Sequence, residues 1–334
     1  MPETMPRPGL DLLVVWVTTR CQLSCRACYL SAGPVGEDLD PALAGRAIAA
    51  LGLAPGAQLQ IAGGEPGLVP DIVDQVAFLA RAAGAGRIAI QTNGLAIDDR
   101  FIALVRRHRL GVGVSLDGPP PLNDRVRGQT ARVLAGLHRL EAEGIAFGVT
   151  VTLSAETLPG LVDLALMLGG FAMARSLGLD ILRPLGRGAD IALPRPADLA
   201  GSYRALVEAL DWVNRRRQRP LVLREAGMVG CGPSESYCAA ERGRAAVLVP
   251  GGGLWPCSSL VGRDGFSLGT VDRPDLSGSA LRPSRTLCGS CAVSGCRGRC
   301  PARAIVSSAA SALDCVLRRA AHHPSASETI RVPA

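Results

Sequence analysis

Three cysteines fall within eight positions in "TTRCQLSCRACYL": Cys21, Cys25 and Cys28, directly after an apolar run. Three thiols are one short of a closed metal shell. A zinc site would need a fourth ligand nearby, and the first histidine of the chain is His108. Iron–sulfur centres are held by cysteine thiolates, usually four to a [4Fe–4S] cluster. A three-cysteine loop therefore leaves one iron open to an outside molecule, as catalytic metals keep an open position. The other eight cysteines, Cys231, Cys238, Cys257, Cys288, Cys291, Cys296, Cys300 and Cys315, all lie in the last third of the chain. Eight thiolates are the number that two fully ligated four-iron clusters require. A structural zinc at Cys288, Cys291, Cys296 and Cys300 is the competing reading.

The elements that must position these groups can be read from periodicity. Strand-like runs at Leu12–Thr18, Gln58–Ala62, Arg87–Thr92, Gly111–Leu116, Phe147–Leu153 and Leu179–Arg183 alternate with helical patterns at Pro41–Leu53, Asp71–Ala83, Asp98–His108 and Thr130–Gly144. Such alternation predicts a parallel sheet with right-handed crossovers. Six units are too few for a closed eight-fold barrel, so the expected fold is α/β, a partial (β/α)6 barrel. Functional residues of such folds gather at the C-terminal ends of the strands. Here the cysteine loop follows the first strand, "GGEP" (Gly63 to Pro66) the second and "TNG" (Thr92 to Gly94) the third, while "SLDG" (Ser115 to Gly118) ends the fourth. Beyond residue 230 the chain turns rich in Gly, Pro, Ser and Cys, a composition that needs metal staples to fold. The expected division is 1–185 for the barrel, 186–230 for a connecting loop and helix, 231–320 for a cysteine-rich domain and 321–334 for a tail.

"CQLSCRACY", with Tyr29 after the third cysteine, resembles the signature loop of the radical S-adenosylmethionine (SAM) superfamily. The resemblance implies that SAM chelates the open iron and is cleaved on reduction to a 5′-deoxyadenosyl radical, which takes hydrogen from a substrate. It further implies SAM contacts at Gly63, Gly64, Glu65 and Pro66, with Glu65 accepting from the SAM ammonium. Asn93, the ribose-facing pair Ser115 and Asp117, and Arg183 as a carboxylate partner complete that set. The C-terminal pattern Cys238-x13-Gly252-x4-Cys257, Cys288-x2-Cys291-x4-Cys296-x3-Cys300, Cys315 resembles the SPASM extension, with the middle gap one residue short of the usual one. By analogy with anaerobic sulfatase maturases, one auxiliary cluster would use Cys231, Cys238, Cys257 and Cys300, and the other Cys288, Cys291, Cys296 and Cys315. Three [4Fe–4S] clusters and SAM are thus the implied cofactors, with a flavodoxin or ferredoxin as electron donor.

All 11 cysteines are then assigned, and none remains to return a hydrogen atom to a product radical. The radical is expected to lose an electron instead, with the auxiliary clusters as its exit. Where the sulfatase maturases carry an acidic base after the cysteine of the G-x4-C element, this chain has Ser258, a poor base without an activating neighbour. Asp264 and Glu235 are the weak candidates for a base. The four histidines read as surface residues. The expected substrate is a peptide or protein. Oxidation of a small molecule is the alternative, either dehydrogenation of a sugar or aminocyclitol or modification of a tetrapyrrole side chain. Arg183 and Arg187 in the loop after the sixth strand would suit substrate carboxylates or phosphates.

Bulk composition narrows the classes further. Hydrophobic residues make up 48% of 334, ample for a core, while aromatics are only 3%, few for a nucleic-acid stacking platform. The net charge of +7 rests on 36 basic residues that are all arginine, and the densest run, "NRRRQRP" at 214–220, reads as a solvated helix end. The N-terminus has no signal-peptide layout, and the most apolar stretch, "LVDLALMLGGFAMA", is interrupted by Asp163. No nucleic-acid or membrane partner is expected, and the expected compartment is the cytoplasm.

Overall fold

In the computed structural model, residues 9–225, 236–281, 291, 293 and 295–322 are described. The backbone of the fold is a run of parallel strands: β1 (Leu10–Thr18), β2 (Leu53–Gly63), β3 (Arg87–Thr92), β4 (Gly111–Ser115), β5 (Phe147–Leu153) and β6 (Ala174–Ile181). Each pairs with its neighbour in chain order. This follows from α1 (Pro41–Leu51), α2 (Pro70–Ala82), α3 (Asp99–His108), α4 (Pro120–Val126) with α5 (Thr130–Ala142), and α6 (Leu161–Gly169), which form the crossovers. Alternate strand residues are wholly buried, Leu13 with Val15, Leu59 with Ile61 and Val149 with Val151, so one face of the sheet forms the apolar core while intervening residues such as Gln60 and Thr150 line a cavity. Helix starts are set locally: Asp40 accepts from the Ala42 N–H at 2.9 Å and Asp98 from the Phe101 N–H at 2.9 Å.

The sheet is larger than six strands. After α7 (Pro196–Asn214), the two-residue β7 (Val222–Leu223) pairs with β6. On the other edge, β8 (Ala245–Leu248) adds in parallel to β1, with Leu12 opposite Ala245, and β9 (Leu254–Trp255) pairs antiparallel with β8. The sheet order is therefore β7-β6-β5-β4-β3-β2-β1-β8-β9, an α/β partial barrel with short added strands on both edges. These strands escape a periodicity reading because two to four residues carry no measurable period. Their consequence is architectural: the chain beyond 240 continues the same sheet. A further two-stranded ribbon, β10 (Gly269–Thr270) with β11 (Arg273–Pro274), and the helices α8 (Pro301–Val306) and α9 (Ser308–His322) complete the described chain.

Two apolar clusters organise the interior. The large one runs through β1–β6 and their helices and includes Leu199, Leu206 and Leu210 of α7 and Leu313 and Leu317 of α9. The small one comprises Ala240, Ala245, Leu260, Leu281 and Ala302, with Cys238, Cys257 and Cys300 packed against it. His108 belongs to the interior, not the surface: its ring meets Asp74 at 2.5 Å with 7% of the side chain exposed. His138 stacks on Phe171 at 4.8 Å.

Candidate functional site

The C-terminal strand ends open onto one cavity of about 540 Å³. Cys21, Cys25 and Cys28 line it, and so do Cys238 and Cys257 from the C-terminal segment. The loop carrying the first three is held by β6's following turn. Arg187 donates from Nε to the Cys25 carbonyl at 2.9 Å and from Nη2 to the Ala32 carbonyl at 2.8 Å, and its backbone N–H donates to the Cys28 carbonyl at 3.0 Å. Arg187 is thus a clamp on the cysteine loop rather than a free substrate contact.

N–H groups converge on the sulfurs. Cys21 Sγ accepts from the Leu23 N–H at 3.4 Å and from Asn93 Nδ2 at 3.7 Å, and Arg127 Nη1 lies 4.0 Å from Cys25 Sγ. As lone thiols, Cys21 and Cys25 are pushed up by burial. Donors and a guanidinium aimed at sulfur are what thiolates bound to iron require. Among the described residues, no three Cys, His, Asp or Glu side chains stand close enough to hold a single metal ion. A four-iron cluster instead seats each thiolate on its own iron. The loop therefore fits a cluster.

The glycine pair lies at the end of β2. Gly63 (φ +133°) and Gly64 line the cavity, and a Cβ on them would overlap the carbonyls of Thr18 and Arg20. Only glycine lets the end of β2 run this close to the start of the cysteine loop. Asn93 and Ser115 also face the cavity, with Ser115 accepting from Gln91 Nε2 at 3.0 Å. Arg183 lines it too, bonded to Asp180 at 2.7 Å and lying over the Tyr29 ring at 5.1 Å.

Two residues sit elsewhere than expected. Glu65 is fully buried and off the cavity wall. Its Oε1 accepts from Thr92 Oγ1 at 2.6 Å and the Gly67 N–H at 2.9 Å, and its Oε2 from the Asn93 N–H at 2.6 Å. Burial pushes this carboxyl up even against those three donors. Three of its acceptor sites tie the second rim loop to the third, and Gly63 and Gly64 form the cavity wall before it. Pro66, beside it, is buried and begins a 3-10 turn (Pro66–Leu68) off the cavity. Glu65→Gln turns one acceptor into a donor facing N–H or O–H groups. It should lower unfolding free energy by on the order of 2 kcal/mol in urea titration, whereas an exposed Glu→Gln should leave it unchanged.

Asp117 is likewise behind the wall. Its carboxylate takes Arg127 Nε at 2.6 Å and Nη2 at 3.1 Å, and the Thr152 N–H at 2.7 Å. It orients Arg127, which faces the cavity and the Cys25 sulfur. Asp264 is exposed and does not line the cavity, while Ser258 and Ser259 do. Glu235, Cys231 and Cys288 lie outside the described residues. Cys238, Cys257 and Cys300 meet around the small apolar cluster, and Asp314, one residue before Cys315, accepts from the Cys300 N–H at 3.1 Å. Cys296 Sγ accepts from the Gly298 N–H at 3.3 Å, and Cys291 is half-buried.

The structure adds acids that periodicity could not select. Asp180, at the end of β6, lines the cavity between Arg183 and Arg303, which hold it below the usual carboxylate range against the upward push of burial. Glu225, just past β7, also lines the cavity, and its Oε2 has no hydrogen-bond partner among the described residues. Burial pushes it up to about 7, with Arg224 and Arg318 opposing and Tyr203 nearby. The only sequence signal was a charged pair directly after the apolar run "LVL". Folded Glu225 keeps its proton to about pH 7, whereas the unfolded chain releases it near pH 4.5. Stability is therefore lost as pH rises through that window. Glu225→Gln should unfold like the parent at pH 4.5 but be more stable at pH 8, by on the order of 2 kcal/mol. An equal difference at both pH values would refute the assignment.

Comparison with known proteins agrees with this geometry. Residues 16–168 match the radical SAM superfamily. An uncharacterised protein of Methanocaldococcus jannaschii is 25% identical over 264 residues, covering 76% of this chain and 87% of that one. Fe-coproporphyrin III synthase of Methanosarcina barkeri is 33% identical over 162 residues, covering 46% of this chain and 40% of the synthase. Among solved structures, Streptococcus suis SuiB bound to S-adenosylmethionine superposes with a TM-score of 0.66 at 16% identity, over 90% of this chain and 75% of that one. SuiB bound to precursor peptide SuiA gives 0.64 at 17% identity, over 91% and 74%. At those identities SuiB shows a shared fold. The cysteine loop at the rim, the glycine pair against it and the family match identify residues 16–168 as a radical SAM domain.

Proposed function

We propose that this radical SAM enzyme oxidises its substrate, a peptide in the first instance, by hydrogen abstraction followed by loss of an electron to auxiliary clusters and of a proton to water. One observation carries the reading: Cys21, Cys25 and Cys28 share the lining of a single cavity with Cys238 and Cys257 of the C-terminal segment. A substrate in that space lies between the site of radical formation and an electron acceptor. When bound at the three-cysteine loop, a [4Fe–4S] cluster and SAM supply a 5′-deoxyadenosyl radical. The protein's own part is positional. Arg187 fixes the loop, Gly63 and Gly64 open the wall to SAM, and Asn93 and Arg127 point N–H groups at the sulfurs. In this reading residues 231–320 hold the two auxiliary clusters in the cysteine sets named above, and a flavodoxin or ferredoxin delivers the first electron. The fold shared with peptide-bound SuiB supports a peptide substrate.

A tetrapyrrole substrate is the second reading, favoured by the likeness to Fe-coproporphyrin III synthase. The deciding experiment incubates the anaerobically reconstituted protein with SAM, reductant, and either peptides or coproporphyrin III. The expected product is two mass units lighter than its substrate, with about twelve irons per chain. A redox-neutral epimer would overturn the oxidative reading, and an iron content near four would remove the auxiliary clusters.

A further inference from the structure

Five arginines line the cavity, and four of them are committed to the protein itself. Arg127 is held by Asp117, Arg183 by Asp180, Arg303 by Asp180 and Asp314, and Arg187 by the carbonyls of the cysteine loop. Arg224 differs. Among the described residues its guanidinium has one hydrogen bond, from Nη2 to Thr150 Oγ1 at 2.8 Å, while the Asp180 and Glu225 carboxylates act on it through space without bonding it.

Its placement is built into the sheet. Ser176 pairs with Val222 and Leu177 with Leu223, so Gly178 is the next position opposite Arg224, and Gly178 itself pairs with Thr150. The side chain crosses β6 over Gly178 to reach β5. A Cβ at Gly178 would overlap the guanidinium, so the absent side chain there is the seat on which Arg224 lies. The result is a planar fork laid on the inner sheet face at the cavity mouth, with N–H groups left for an outside acceptor. Planar bidentate geometry matches a carboxylate.

Building on the oxidative reading above, the structure assigns Arg224, seated on Gly178, as the anchor for a substrate carboxylate. The carboxylate belongs either to an acidic peptide side chain or to a propionate of a tetrapyrrole. Binding to the reconstituted, SAM-loaded protein tests this without turnover. The probes are coproporphyrin III against its methyl ester, followed by intrinsic fluorescence, and a labelled oligoglutamate peptide against oligoglutamine, followed by anisotropy. At least one acid should bind more tightly than its neutral counterpart, and which one does so identifies the source of the carboxylate. Arg224→Gln should weaken that acid about tenfold or more. Arg224→Lys should restore part of the loss. Gly178→Ala, which keeps the charge but displaces the guanidinium, should weaken it as well. Unfolding curves of the variants confirm that they are folded. A parent protein that prefers neither acid, or either loss variant binding as the parent does, overturns the assignment. Failure to find an oxidised product would remove the functional reading while leaving this binding result in place.

Discussion

Replacing Cys21, Cys25 or Cys28 by alanine should abolish 5′-deoxyadenosine formation and remove about four irons per chain. The reason is that these three thiols, and no others, stand on the loop clamped by Arg187 and faced by Asn93 and Arg127. The same change at Cys257 should have a different signature. It lines the cavity as part of the C-terminal cysteine set with Cys238, so 5′-deoxyadenosine should still form while oxidised product disappears. Iron analysis with chromatography of 5′-deoxyadenosine reads both outcomes. If Cys257→Ala lost 5′-deoxyadenosine as completely as Cys25→Ala, the division between radical generation and electron exit would fail.

The second large effect is on stability. Arg303, on α8, is 3% exposed and bridges Asp314 of α9 at 2.6 Å and Asp180 of β6 at 2.9 Å. Asp314 in turn accepts from the Cys300 N–H. The arginine thus ties three elements together at the cavity wall and neutralises two acids, Asp314 fully buried and Asp180 partly so. Removing it leaves both acids facing burial without their shared partner. Arg303→Met should cost about 3–5 kcal/mol in unfolding free energy, read from urea titration of the reconstituted protein. Arg195→Met gives the comparison: its pair with Asp198 is surface-exposed, and the loss should stay within about 1 kcal/mol. Equal effects at the two positions would mean that the buried network contributes nothing beyond an ordinary surface pair.

The rim motifs were legible because a parallel strand followed by a rim loop is a local pattern. β3 and β5 begin and end where the apolar runs do, and the cysteine loop, Gly63, Gly64, Asn93 and Ser115 reach the cavity by strand order alone. Short strands were not legible. Val222–Leu223 and Ala245–Leu248 become strands only because edges of β6 and β1 offer unpaired backbone groups to them. Helix α4 was hidden in the proline-rich "PPPLN".

Side-chain roles divided in the same way. Residue type and spacing determined that this chain would carry three-thiol and many-thiol sites on an α/β sheet, since covalent chemistry and chain direction are properties of the sequence itself. Partner choice was decided only in three dimensions. Glu65 turned inward to Thr92, Asn93 and Gly67, and Asp117 turned to Arg127. Asp180 found an arginine 123 residues away. A buried charge is stabilised by whichever opposite charge or donor the fold brings within reach, and sequence distance does not enter that energy.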